Sequence, residues 1–394
     1  MGDTGALRGE VVLDFSRSYF GAVGAAMLAD FGATVIRVEP VVRAGGVRSG
    51  RDEQAEFAHR NKLSFAVDLD TEVGRQIVDE LIGVATVVIV DGTPAHIDER
   101  GFTPERLRSL NPAIVLGRAT GFGPAGPDRN LPPLDELAAA RTGVMPLLPQ
   151  PGMPPVYTGA GQMYTAVMLA FGIVTAIHHR HETGAGQVVD ASLLGGNMYA
   201  ASLDLQAYLA VGGDRFLAPS DVMDTGNPMS GAFYQSADDR WITLTMPDTD
   251  RWWPAFAESV AIDPADPRFD SHQKRCEDNN AALVRELQTA FRRRPAAEWR
   301  AVFAERMLSA EVIEDFAYPA NDPHARRNRY IVDVDDPRLA PTRSVGFPLH
   351  MSESPARLDR TAPAHGQHTA ALLHDMLGYS EDRIEQLNGA GVVR

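Results

Sequence analysis

At 394 residues, 44% apolar and 23% charged, the chain has the size and composition of a folded protein of two domains. Its formal charge of −15 argues against a nucleic-acid surface, which wants a basic stripe, and against adhesion to anionic lipid. The single cysteine, Cys276, excludes an internal disulfide and argues against a cysteine-based zinc site. Met1 to Glu10 has no apolar run behind a basic start, so no secretory leader is expected and a cytoplasmic location is.

In chain order, Val11 to Phe15 reads as a short buried strand, Ala22 to Phe31 as a small-residue helix stopped by Gly32, and Ala33 to Glu39 as the next strand. That is a βαβ unit, with parallel strands and a right-handed crossover. It lacks a Gly-x-Gly-x-x-Gly turn, so a dinucleotide site is not supported. Pro40 to Glu56 reads as a Gly/Arg-rich loop carrying Arg43, Arg48 and Arg51, placed where open α/β sheets bind ligands. Strands are expected at Leu63 to Leu69, Thr86 to Val90, Ala113 to Gly117 and Gln187 to Ala191, with helices at Thr71 to Ile82, from Thr103, and at Asp135 to Thr142.

Gly159 to Arg180 stands near the middle: a glycine-rich turn that runs into a long apolar helix. Its apolar run contains Tyr164, Thr165, Gly172 and Thr175, and reads as a buried helix rather than a membrane span. After a helix from Leu193 to Val211 the pattern changes. Arg240 to Thr245 is an alternating strand, and Asp250 to Val260, Glu277 to Arg293 and Ala296 to Met307 are amphipathic helices. Arg329 to Val334 and Thr342 to Phe347 are strands, and two short helices, Thr369 to Leu377 and Ser380 to Asn388, close the chain.

Motif chemistry adds little by itself. His178, His179 and His181 cluster near a helix C-terminus, where adjacent histidines point to different faces and the dipole suits them better than a metal does. Arg292 to Arg294 reads as a solvated helix end, and Trp252 and Trp253 as small-domain packing. No nucleophile elbow and no P-loop lysine are present.

Several stretches taken together resemble the family III CoA-transferases, the CaiB/BaiF family that includes formyl-CoA transferase and α-methylacyl-CoA racemase. They are Ala29 to Ala33 running into Val35 to Pro40, Arg60 to Ser64 with Val67 to Leu69, Ser109 to Pro112, Gly121 to Pro124, Thr183 to Gln187, Gly366 to Thr369 and Leu377 to Ser380. Each is weak alone; their order and spacing make the resemblance specific. It implies an α/β fold with a Rossmann-like large domain built from N- and C-terminal parts (1–212 and 329–394) and a smaller α+β domain (213–328). It also implies two chains interlocked as a dimer.

The resemblance further implies a mechanism in which an aspartate at the start of the central helix attacks an acyl-CoA thioester. That position falls on Gln162, and an amide cannot form the anhydride. The racemases' histidine position falls on Leu134, with Asp135 retained, and their later acid falls near Asp248. The implied CoA set is Arg37, Arg60, Lys62, Arg48, Arg51, Tyr19 and Asp91, with Thr93 and Glu99 at usually basic positions. The catalytic candidates are therefore Gln162, Asp135 and Asp248. No permanently bound cofactor and no metal are expected; coenzyme A or acyl-CoA would enter as substrate. Three readings stand open. The chain is a CoA-transferase-like enzyme on an acyl-CoA or carboxylic acid. It is the non-catalytic subunit of a hetero-oligomer with a homologous chain. Or it is a diverged enzyme doing non-covalent acid/base chemistry.

Overall fold

The fold is that of a computed structural model, which describes residues 5–41, 53–213, 221, 226–334 and 342–394. Arg43, Arg48 and Arg51 lie outside the described residues. The chain divides into two compact units: Met1–Val144 with Tyr157–Ala210 and Asp322–Arg394, and Met145–Val156 with Val211–Asn321.

The first unit opens with β1 (Val11–Asp14), α1 (Tyr19–Asp30), β2 (Thr34–Glu39), α2 (Glu53–His59), β3 (Leu63–Ala66), α3 (Glu72–Val84) and β4 (Val87–Asp91). It continues through α4 (Pro94–Glu99), α5 (Pro104–Leu110), β5 (Val115–Thr120), α6 (Asp135–Ala139), α7 (Gly161–Thr183), β6 (Val188–Ser192), α8 (Leu193–Ala200) and α9 (Ser202–Val211). The six strands form one parallel sheet of order β3-β2-β1-β4-β5-β6. This is the doubly wound order, whose strand direction of travel reverses between β1 and β4.

Both faces of the sheet are covered, so its strands are near-continuous apolar runs, and all five residues of β4 are buried. Successive side chains alternate faces. Val12, Val87, Ile89 and Val115 pack with α1 and α7 on one side. Leu13, Val88, Val90 and Leu116 pack with α3 and α5 on the other. Helix α1 is buried everywhere except Tyr19, which explains its run of small residues. A Cβ on Gly24 would stand 3.0 Å from Leu169 Cδ2 and 3.2 Å from Ala166 O, so α1 and α7 touch almost backbone to backbone. By length and composition α7 passes as a membrane span, but Ala166, Leu169, Ile173 and Ala176 are buried in this core.

In the second unit, β7 (Ser230–Gln235), β8 (Trp241–Thr245), α10 (Thr249–Ser259), α11 (Asn280–Phe291), α12 (Ala296–Arg306), β9 (Ala310–Val312) and α13 (Ala317–Asn321) follow. The strands pair antiparallel in the order β7-β8-β9. Trp253, Phe256, Phe291, Trp299 and Phe303 fill its core. The chain then returns to the first unit with α14 (Pro323–Arg327), the hairpin β10 (Ile331–Val334) and β11 (Thr342–Val345), α15 (Thr369–Leu377) and α16 (Glu381–Gly389). The return is tied down by Asn61. Its Oδ1 accepts from the amides of Asp359 (2.8 Å) and Arg360 (2.9 Å), and its Nδ2 donates to Arg357 O (2.7 Å). At the end of the chain, Val393 bridges to Val67.

Several elements depart from expectation, among them the helix read from Leu193 to Val211, which breaks at Ala201 into α8 and α9. β5 begins at Val115, because the Asn111 side chain caps a turn by accepting from Ala113 N (3.1 Å) and donating to Ala85 O (2.8 Å). Helix α2 occupies the end of the stretch read as loop, and β7 was hidden by its Ser-Gly start. The mixed α/β class is as expected.

Candidate functional site

Ligand sites in open α/β sheets lie beyond the carboxyl ends of the strands. Helix α7 runs toward the start of β6, so its N-terminus opens at that end, beside the segments that follow β5 and β6. The first turn of α7 lacks a side-chain cap. A buried carboxylate lies against it instead.

That carboxylate is Asp135, the first residue of α6, which is 6% exposed. Its Oδ1 accepts from Asn197 Nδ2 at 2.8 Å, and its Oδ2 accepts from the Tyr157 hydroxyl at 2.8 Å. A Cβ on Gly161 would lie 2.1 Å from both Asp135 Oδ1 and Asn197 Nδ2, so the missing side chain is what admits the pair. Burial of its hydroxyl end, then the bond to Asp135, pushes the Tyr157 phenol up to about 12. The negative charge sits at the positive end of a 23-residue helix, a placement that stabilises an anion by about 0.3–1 kcal/mol at exposed sites and more when partly buried. Gln162 is the next residue along, half-buried, and its side chain has no hydrogen-bond partner among the described residues. The fold thus sets Asp135 against Gly161, the residue before Gln162, although Asp135 and Gln162 lie 27 positions apart in the chain.

Asp248 belongs to the second unit, where it is exposed and caps α10 by accepting from Arg251 N at 3.4 Å. Its observed work is local.

The candidate ligand residues fare differently. Lys62 is fully buried: its Nζ donates to Asp14 Oδ2 (2.6 Å) and Ala22 O (2.7 Å). Burial lowers its pKa, and Asp14 works against that. Arg60 is 4% exposed, with Nη2 2.6 Å from Asp30 Oδ2, and donates to Val345 O at 2.5 Å. Both charges are paired inside the first unit, where burial makes an uncompensated charge too costly to leave free. Asp91 is turned inward as well. Its Oδ2 accepts from the amides of Arg17 (2.7 Å) and Ser18, which holds the approach to α1. Arg37 stays half-buried beside Glu39, 3.2 Å away. Tyr19 is half-buried and stacks on Phe57, with centroids 6.5 Å apart.

Two cations went unread in the sequence. Arg17 follows β1 and Arg100 follows α4, so both flank the β1/β4 switch point. Arg100 lies over the Phe102 ring at 5.2 Å, and its Nη1 is buried with no hydrogen-bond partner among the described residues. Burial lowers its pKa, and the Arg17 charge adds to that. Arg100 directly follows Glu99, one of the two positions that lack the usual basic residue. Thr93 caps α4, its hydroxyl accepting from His96 N at 3.2 Å. Tyr157 and Asn197 carried no motif; only the fold brings them to Asp135.

Comparison with known proteins is consistent across sequence and structure. The model of CoA-transferase family III matches residues 7–369. A succinyl-CoA–D-citramalate CoA-transferase of Chloroflexus aurantiacus is 29% identical, over 97% of this chain and 96% of the relative. A formyl-CoA:oxalate CoA-transferase of Rhodopseudomonas palustris is 27% identical over 99% and 98%. In structure, a CaiB/BaiF family protein from Brucella suis superposes with a TM-score of 0.82 at 24% identity, covering 95% of this chain and 100% of its own; that likeness concerns the fold.

Proposed function

The chain belongs to CoA-transferase family III, and on that premise we propose that it acts on acyl-CoA thioesters and carboxylic acids at the start of α7, with Gln162 in place of the family's nucleophilic aspartate. One observation carries the reading: the Asp135 carboxylate packs against Gly161, one residue ahead of Gln162. An amide donates and accepts hydrogen bonds but cannot carry an acyl group. Asp135, with a donor on each oxygen, is a poor nucleophile and a well-fixed base. Such a pair suits proton abstraction from the α-carbon of an acyl thioester, with the Gln162 amide donating to the carbonyl oxygen as negative charge develops there. The proton goes to Asp135 and returns to the carbon. Among the described residues, Arg17, Arg37 and Arg100 are cations suited to the CoA phosphates. No permanently bound cofactor is needed.

A homodimer goes with this reading. Tyr164, Val167, Phe171 and Val174 are 40–67% exposed and recur at helical spacing, a stripe on the outer face of α7 that water disfavours. The same stripe also favours a second reading, a hetero-oligomer in which a homologous chain supplies the missing aspartate.

The test is incubation with a panel of acyl-CoAs in deuterium oxide. Deuterium should enter the acyl α-carbon, with a loss of 100-fold or more (about 2.7 kcal/mol) in Asp135→Asn. Transfer to an acceptor acid by the wild type, through a hydroxylamine-sensitive adduct, would overturn the non-covalent reading.

A further inference from the structure

We infer that Asn197 and Tyr157 are positioning residues that clamp the Asp135 carboxylate to the first turn of α7, with Gly161 as the gap that admits it. The inference deepens the proposed function and rests on its reading of the α7 start as the reactive centre.

Three separate segments converge on one carboxylate. Asp135 opens α6, Asn197 lies in α8, and Tyr157 precedes α7. The two donors reach different oxygens, Asn197 Nδ2 to Oδ1 and the Tyr157 hydroxyl to Oδ2, each at 2.8 Å. One bond alone would leave the carboxylate free to swing about its Cβ–Cγ bond. Two bonds from opposite sides fix its plane, which is what a base needs to meet a C–H bond on a set line.

Asn197 is itself held. Its Nδ2 also donates to Leu193 O at 2.9 Å, one turn back in α8. That turn is anchored by Ser192, whose hydroxyl accepts from Gly195 N at 3.1 Å. On the α7 side, Thr165 Oγ1 donates to Gly161 O at 2.8 Å and lies 3.3 Å from Ser192 O, so the start of α7 and the start of α8 are tied together. Gly196 keeps them close, since a Cβ there would fall 2.4 Å from Thr165 Oγ1. The clamp is thus rooted in the packing of α7 on α8. Tyr157 is its exposed half, a residue 37% exposed whose hydroxyl still reaches Asp135. Glu136 is the other charged group near the phenol, and with Asp135 it disfavours the phenolate.

The experiment places a fluorinated tyrosine, whose phenol titrates near neutrality, at position 157 and follows it by fluorine NMR. In the otherwise wild-type chain the phenol should bind its proton about 100-fold more tightly than the free amino acid does. Burial sustains the larger share of that difference, so Asp135→Asn should lower it without abolishing it, and Asn197→Ala should lower it less, by loosening the carboxylate. A titration indifferent to Asp135→Asn overturns the clamp. In the deuterium-exchange assay, Tyr157→Phe, which removes only the hydroxyl that reaches Asp135, should lower kcat about 10-fold with KM unchanged. Unchanged kcat overturns the positioning role. If no acyl-CoA exchanges but the fluorotyrosine answers to Asp135→Asn, the clamp stands and the proposed reaction falls.

Discussion

Lys62 and Asp14 form a pair with neither side chain exposed. The Coulomb gain of such a pair barely offsets the desolvation of both ions, but breaking it leaves one charge buried alone. Lys62→Met should therefore destabilise the first unit by about 3–5 kcal/mol in denaturant titration; a loss under about 1 kcal/mol would mean that water reaches Asp14. His368 makes a different commitment. Its Nδ1 accepts from Ser64 N at 3.1 Å, which requires an unprotonated nitrogen. Burial, with Arg360 nearby, lowers its pKa below the ordinary 6.5. Between the lowered folded value and 6.5 the unfolded chain binds a proton that the folded chain refuses, so this stability is present above 6.5 and lost as the pH falls. His368→Asn keeps an acceptor without titrating and should flatten the fall in Tm from neutral to mildly acidic pH. An unchanged slope would assign that acid lability elsewhere. Residue identity in the sequence could not separate Lys62 and Arg60, buried for structure, from Arg17 and Arg100 at the switch point, because charge reads alike in both settings.

Several regular elements of the first unit were legible because they carry their own punctuation. Thr71 caps α3 and Thr103 caps α5, with hydroxyls accepting from Gly74 N (3.0 Å) and Arg106 N (3.3 Å). Gly184 ends α7 in the left-handed conformation, at a φ of 74°. Gly186, two residues on, serves a close approach: a Cβ there would lie 1.9 Å from Ile114 O. Gly186→Ala must push β6 off β5 and should cost about 2–3 kcal/mol, seen as a lower Tm; an unshifted Tm would show that the strand edge yields freely. β7 was missed because its pairing with β8, not its own residues, makes it a strand. The site was legible only at Asp135 and Gln162. Tyr157 and Asn197 acquire meaning from the packing of α6, α7 and α8, which no local pattern encodes.

For the whole molecule, the sheet order places the candidate residues: connections beyond β1 and β4 carry Arg17 and Arg100, and those beyond β5 and β6 carry Asp135 and Asn197. The stripe on α7 adds a second demand. Phe171, 67% exposed, is its most prominent residue. Phe171→Glu should convert a dimer to a monomer in sedimentation, and a dimer that survives the charge would place the interface elsewhere. The account turns on position 162. Gln162→Asp, loaded with an acyl-CoA and read by intact-protein mass spectrometry with hydroxylamine trapping, tests it most directly. The predicted result is a trapped adduct on residue 162 in the variant and none in the wild type. An adduct already present in the wild type would contradict the account, as would a variant that binds CoA yet never becomes labelled.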